Sequence, residues 1–216
     1  MIGIAFVRGI NVGGRNPLPM ATLSAICSDA GLTGVKTHIQ SGNVVFEAST
    51  TVLRRAEAAI ADGIEKARKF RPTVIVRTLP ELRSILETRV FAGQNEMDGA
   101  KLLVMFLASP PRPAVAKVVD SMAHGDERLR LMGREVFMHL PRGVGQTRIN
   151  FPAMERTLGP GTVRNWNTIQ KMVALGEGVE QHPAGPAPGR TRPKKPKISD
   201  LPAPMTGRSA PRRAKR

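Results

Sequence analysis

Apolar positions along this chain change period several times, and each change marks a predicted element. Ile2 to Val7 is a short apolar run rich in strand formers and closed by a glycine-rich loop, which predicts a buried strand. Pro19 then stands where the first residue of a helix belongs. Leu23, Ile26, Cys27 and Ala30 follow at helical spacing, and Gly31 supplies the stop. Val35 to Ile39 and Asn43 to Phe46 read as two strands joined by a Ser41-Gly42 turn. Leu53, Ala56, Ile60, Ile64 and Ala67 line one face of a long helix, and Val74 to Val76 form another strand.

The order strand, helix, strand, strand, helix, strand can be traced a second time. Leu102 to Leu107 is a strand, Pro113 to Met122 a helix, and Leu129 to Leu131 pairs with Glu135 to Leu140 across Gly133-Arg134. A helix near Phe151 to Leu158 and a weak strand at Thr162-Val163 complete the set. Pro80 to Thr88 predicts a connecting helix, and Asn165 to Leu175 a closing one. Two such units are the ferredoxin-like signature. The expected class is therefore α+β, two tandem ferredoxin-like β-α-β-β-α-β units with a C-terminal helix. The expected boundaries are 1–78 for the first unit, 79–100 for the linking helix and loop, 101–178 for the second unit, and 179–216 for a tail. The plainer alternative is an accidental second repeat, because its last strand is poor.

Three stretches carry a resemblance. Ile4-Ala5-Phe6-Val7-Arg8-Gly9-Ile10-Asn11-Val12-Gly13-Gly14, Ile39-Gln40-Ser41-Gly42-Asn43-Val44-Val45-Phe46 and Arg164-Asn165-Trp166-Asn167-Thr168 resemble a bacterial family catalogued as domain of unknown function 1697, over residues 1 to about 176. The resemblance implies the same duplicated fold and no established reaction.

In a ferredoxin-like unit the strands lie fourth, first, third, second. The end of the first strand then neighbours the start of the third, so Arg8–Gly14 should meet Gln40–Asn43 at one rim, with Arg71 at the same end. Arg8 offers a planar five-donor fork for phosphate or carboxylate. Gly13 and Gly14 permit close backbone approach. Asn11, Gln40, Ser41 and Asn43 donate and accept without titrating near neutrality. Arg164, Asn165, Trp166 and Asn167 add a cation, two amides and the sole tryptophan. These eleven residues are the candidate ligand site. The competing reading gives the loops a purely structural task, locking two repeats together, with Trp166 a packing anchor and Asn165 or Thr162 a helix cap.

Composition narrows the picture. Aromatics are only 4% and tyrosine is absent, so the core must be aliphatic and methionine-rich. The single cysteine, Cys27, lies on an apolar helix stripe. It excludes an intramolecular disulfide and a cysteine-based zinc site, and it fits a reducing cytosol. No basic segment precedes the first apolar run, so no secretory leader is expected. The longest apolar run, Leu102 to Ala108, is far short of the roughly 20 residues of a spanning helix. The expected setting is cytoplasmic, with no membrane partner. His38, His124, His139 and His182 show no metal-ligand spacing, and neither a Walker loop nor a dinucleotide fingerprint occurs. No cofactor or metal is called for, and no acid–base pair stands out. Glu47 and Glu135 read as isolated, solvent-facing carboxylates.

The formal charge is +16. From His182 to Arg216 there are ten Lys or Arg against one acid, and eight of the chain's 18 prolines fall between Pro183 and Pro211. Such a segment cannot bury enough surface to offset its ordering entropy. Lys194, Lys195, Lys197, Arg212, Arg213, Lys215 and Arg216 are the candidate nucleic-acid contacts, held by electrostatics alone. The leading expectation is a binding protein for phosphate-rich ligands, non-specific nucleic acid foremost, whose affinity falls with salt and with removal of the chain after Glu180. The alternative is an enzyme or sensor for a nucleotide or other phosphorylated small molecule at the Arg8–Gly14 and Gln40–Asn43 loops.

Overall fold

A computed structural model describes residues 1–182; the seven tail cations from Lys194 to Arg216 lie outside the described residues. The fold is α+β, with two four-stranded antiparallel sheets and, among the described residues, seven helices. The first sheet is built from β1 (Ile2–Val7), β2 (Thr33–His38), β3 (Asn43–Glu47) and β4 (Val74–Thr78), in the order β2-β3-β1-β4. The second uses β5 (Leu102–Leu107), β6 (Arg128–Met132), β7 (Glu135–His139) and β8 (Gly161–Asn165), in the order β6-β7-β5-β8. Helices α1 (Met20–Asp29), α2 (Thr50–Leu53), α3 (Ala56–Arg68) and α4 (Leu79–Glu87) belong to the first half. In the second half are α5 (Pro113–Ala116), α6 (Phe151–Leu158) and α7 (Trp166–Gln181).

The unbroken apolar strands are explained by burial on both faces. In β1, Ala5 and Val7 face a core shared with α1 and α3, while Ile4 and Phe6 face the second sheet. In β5, Leu103, Met105 and Leu107 face a third core containing Met154 and Leu158 of α6, while Leu102, Val104 and Phe106 face the middle. The middle layer is closed by Leu79, Leu82 and Ile85 of α4 and by Ile169, Met172 and Val173 of α7. At its centre the rings of Phe6 and Phe106 stack with centroids 4.7 Å apart. Burying such rings together favours docking of the halves beyond area alone.

Four local expectations change. The long helix from Leu53 breaks at Arg54-Arg55, because α2 is a single Ser49-capped turn that ends before Ala56 begins α3. The helix expected at Pro113 to Met122 is one α-turn followed by a 3-10 turn at Asp120–Met122. Val119 is nonetheless buried and Val115 and Met122 pack beside it, so the apolar spacing is honoured without a continuous helix. Ile39 leaves β2 for the turn, with φ +49° and 54% exposure, so the hairpin turn is four residues long. Finally, α7 continues past Leu175 to Gln181, with Val179 buried in the middle layer.

Candidate functional site

The two sequence-predicted loops do meet at one rim. Val7 N–H donates to Gly42 O at 2.8 Å, and Arg8 N–H to Thr73 O at 2.9 Å. Asn11 takes φ +55°; its Oδ1 accepts from Leu18 N at 2.8 Å, and its Nδ2 donates to Leu18 O and to Gln40 O, each at 2.9 Å. Asn16 ties the loop back through Gly9 O. Gly13 (φ +56°) and Gly14 (φ +74°) form the exposed tip of a tight turn bridged by Arg15 N–H to Val12 O. The amide groups of Asn11 thus close the loop upon itself. The loop before β4 reaches this rim through Thr73, while the Arg71 guanidinium is held by Asp62 and by Glu65 at 2.8 Å on α3.

Gly42 is the one glycine here whose absence of a side chain is demanded twice. Its φ is +72°, and an added Cβ would lie 2.8 Å from Val7 Cβ and 3.0 Å from Val7 O. Gly42→Ala is expected to destabilise the protein by about 2–4 kcal/mol, combining left-handed strain with a clash against backbone. A melting curve checks this; a change below about 1 kcal/mol would contradict so close an approach of the hairpin to β1.

The cations and remaining amides build a seam between the halves. Arg8 forms an ion pair with Glu155 of α6, so its fork is turned toward a protein carboxylate. Arg164 on β8 engages all five of its N–H donors with protein. Nε reaches Asn43 Oδ1 at 2.6 Å, Nη1 reaches Thr162 Oγ1 and Val163 O, and Nη2 reaches Val7 O and Ser41 O at 3.0 Å. Its Cζ lies 5.3 Å from the Phe6 ring centroid. Burial pulls its pKa down to about 10, still high enough to keep the guanidinium charged at neutral pH. Asn43 is fully buried and also donates to His38 O. Arg164 therefore acts as a clamp from the second half onto the first.

A second clamp runs the opposite way, and the sequence reading missed it. Arg77 on β4 has a fully buried side chain. Its Nε reaches Glu135 Oε1 at 2.8 Å, Nη1 reaches Val76 O and Nη2 reaches Leu107 O at 2.7 Å. Its Cζ lies 5.6 Å from the Phe106 ring. Burial lowers its pKa, against the opposing pull of Glu135. The registers coincide: Ile4 pairs with Arg77 and Phe6 with Asn43, just as Val104 pairs with Arg164 and Phe106 with Glu135. Glu135 is thus no solvent-facing carboxylate, as its side chain is only 14% exposed in a buried ion pair. The available clue was the shared pattern Val76-Arg77-Thr78 and Val163-Arg164-Asn165, each an arginine ending a strand just before a helix cap.

The Arg164–Asn167 motif is divided. Arg164 serves the seam, and Asn165 caps α7 by accepting from Thr168 N at 2.9 Å. Trp166 packs at the edge of the middle core and, with Asn167, lines a recess beside the 88–99 linker. Ser41 is exposed and contributes its carbonyl to Arg164, and Gln40 contributes its own to Asn11. Cys27 is fully buried, and burial pushes its thiol to about 12, which suits an inert core group. Among the described residues no cluster of three His, Cys, Asp or Glu could hold a metal ion, and no helix is long and apolar enough to cross a membrane.

Fold and seam together define an α+β protein whose two four-stranded antiparallel sheets are clasped by reciprocal arginines. The profile of the family described as "Protein of unknown function (DUF1697)" matches residues 1–137, and the chain belongs to that family. It is also similar to a solved structure, "The structure of conserved bacterial protein SP0830 from Streptococcus pneumoniae", with a TM-score of 0.63 and 23% identity. That similarity covers 81% of this chain and 98% of the other, and it concerns the fold. No curated protein matches the chain.

Proposed function

We propose that this protein binds phosphate-rich polyanions, nucleic acid foremost, without sequence specificity. The observation that carries the reading is the charge: +16 overall, with ten Lys or Arg against one acid from His182 onward. A cationic segment of this kind gains affinity by displacing counterions from a polyanion. The strand order shared by the two sheets supports reading the body as tandem ferredoxin-like units. Such sheets present aromatic rings to bases in RNA-recognition modules. Here Phe6 and Phe46 are fully buried, which favours electrostatic attachment over base reading. One buried thiol suits a cytoplasmic setting.

The competing reading, an enzyme or sensor using the Arg8–Gly14 and Gln40–Asn43 loops, is less well supported. Arg8, Asn11, Asn43 and Arg164 already have protein partners. The test compares full-length protein with a variant carrying glutamine at Lys194, Lys195, Lys197, Arg212, Arg213, Lys215 and Arg216. Fluorescence anisotropy with labelled single- and double-stranded DNA at 50 and 200 mM salt should show a fall of about 10³-fold or more for the native chain. The neutralised variant should lose most of its affinity and its salt slope. Tight binding that ignores salt and survives neutralisation would refute the proposal.

A further inference from the structure

We propose that the recess between the 88–99 linker and the first turns of α7 is a binding site for a nucleoside monophosphate. It is distinct from the polyanion contacts of the tail and does not rest on them. The cavity encloses about 250 Å³ and is lined by Arg89, Asn95, Gly99, Trp166, Asn167 and Gln170, among others. That volume lies near the lower end of small-molecule sites, so it suits one small ligand and not a stretch of polymer.

The lining differs from the seam in what its polar groups do. At the seam, guanidinium and amide groups are engaged by protein. Around this recess, among the described residues, the side chains of Asn95, Asn167 and Gln170 make no hydrogen bond. Arg89 donates to Leu86 O at 2.6 Å and has no carboxylate partner. A guanidinium with open donors suits a phosphate. Three primary amides, each able to donate and accept, suit the edge of a base and sugar hydroxyls. Trp166, packed on the core at one side, borders the recess.

The wall is also held in place, which lowers the ordering cost of binding. Gln94 is 5% exposed; its Oε1 accepts from Val90 N and Phe91 N, and its Nε2 donates to Thr88 O. Trp166 N–H donates to Gly99 O at 3.1 Å. An added Cβ at Gly99 would fall 2.1 Å from Asn167 Oδ1, so glycine lets the linker lie directly on α7.

Trp166 is the only tryptophan, so its emission reports on the recess and on the core it packs against, and on no other site. Full-length protein is titrated with AMP, GMP, CMP and UMP, and in parallel with the nucleosides, ribose 5-phosphate and inorganic phosphate, with calorimetry alongside. A saturable change in Trp166 emission is expected with at least one mononucleotide, and binding should weaken at least tenfold for the matching nucleoside and for phosphate. Arg89→Gln and the exposed Asn167→Ala should each weaken it about tenfold without lowering the Tm. The proposal is overturned if no mononucleotide saturates, if both variants bind as the native chain does, or if inorganic phosphate alone binds equally well. The tail-neutralised variant should keep mononucleotide binding while losing DNA, so each of the two proposals can fail without the other.

Discussion

Arg77→Ala is expected to destabilise the native state by about 3–5 kcal/mol, the cost of removing one partner from a buried ion pair. The side chain is wholly inaccessible, and its guanidinium reaches Glu135, Val76 O and Leu107 O while covering the Phe106 ring. Alanine would leave the Glu135 carboxylate with only the longer Arg134 pair at 4.0 Å and would take the Arg77 donor from the Leu107 carbonyl, at the boundary between the halves. Arg77→Lys should recover only part of the loss, because an ammonium cannot donate along the same planar fork. Replacing both partners, as in Arg77→Met with Glu135→Leu, should cost less than Arg77→Ala alone, since no uncompensated charge is left. Urea unfolding followed by circular dichroism measures all four proteins. A loss below about 1 kcal/mol for Arg77→Ala would place the clamp among interactions of surface strength.

Much of the scaffold can be read from local pattern. Strand runs such as Ile2–Val7 and Leu102–Leu107 announce burial on both faces, and two glycine-rich loops about thirty positions apart reach one rim as the strand order requires. What the pattern does not contain is the identity of a partner across an interface. Arg164 meets Asn43, Val7 and Ser41 at separations of 121, 157 and 123 residues, and nothing local to any of them encodes the meeting. Arg8 has the residue chemistry of an anion fork, yet a carboxylate 147 residues away takes it. Arg77 ends an apolar run, where a lone charge reads as the exposed end of a strand; only its repetition before a second helix cap signals otherwise. The helix broken at Arg54-Arg55 fails for a different reason. Apolar spacing records which side faces the core, and two short helices can satisfy it as well as one.

The reciprocal clamp is not energetically symmetric, and a comparison of the two arginines tests its physical basis. Arg164→Ala should cost about 2–4 kcal/mol, since it leaves the buried Asn43 Oδ1 and the Val7 carbonyl without donors, each worth about 1–3 kcal/mol. Its partners are all neutral, so no carboxylate is stranded. Arg164→Met should therefore be milder than Arg77→Met by about 1 kcal/mol or more. A double-mutant cycle with Asn43→Ala should show a coupling of about 0.5–3 kcal/mol, as expected for groups in one hydrogen-bonded network. Additive losses would mean that Asn43 and Arg164 act separately, leaving Arg164 free for another partner. Strong coupling, with the stability loss present when no ligand is added, would identify this pair as the fastener that holds β8 against the first sheet. The reciprocal placement then has a physical consequence. Each sheet carries one arginine most of whose hydrogen bonds end on the other half, so neither half fully satisfies its own cation, and opening the seam exposes both at once.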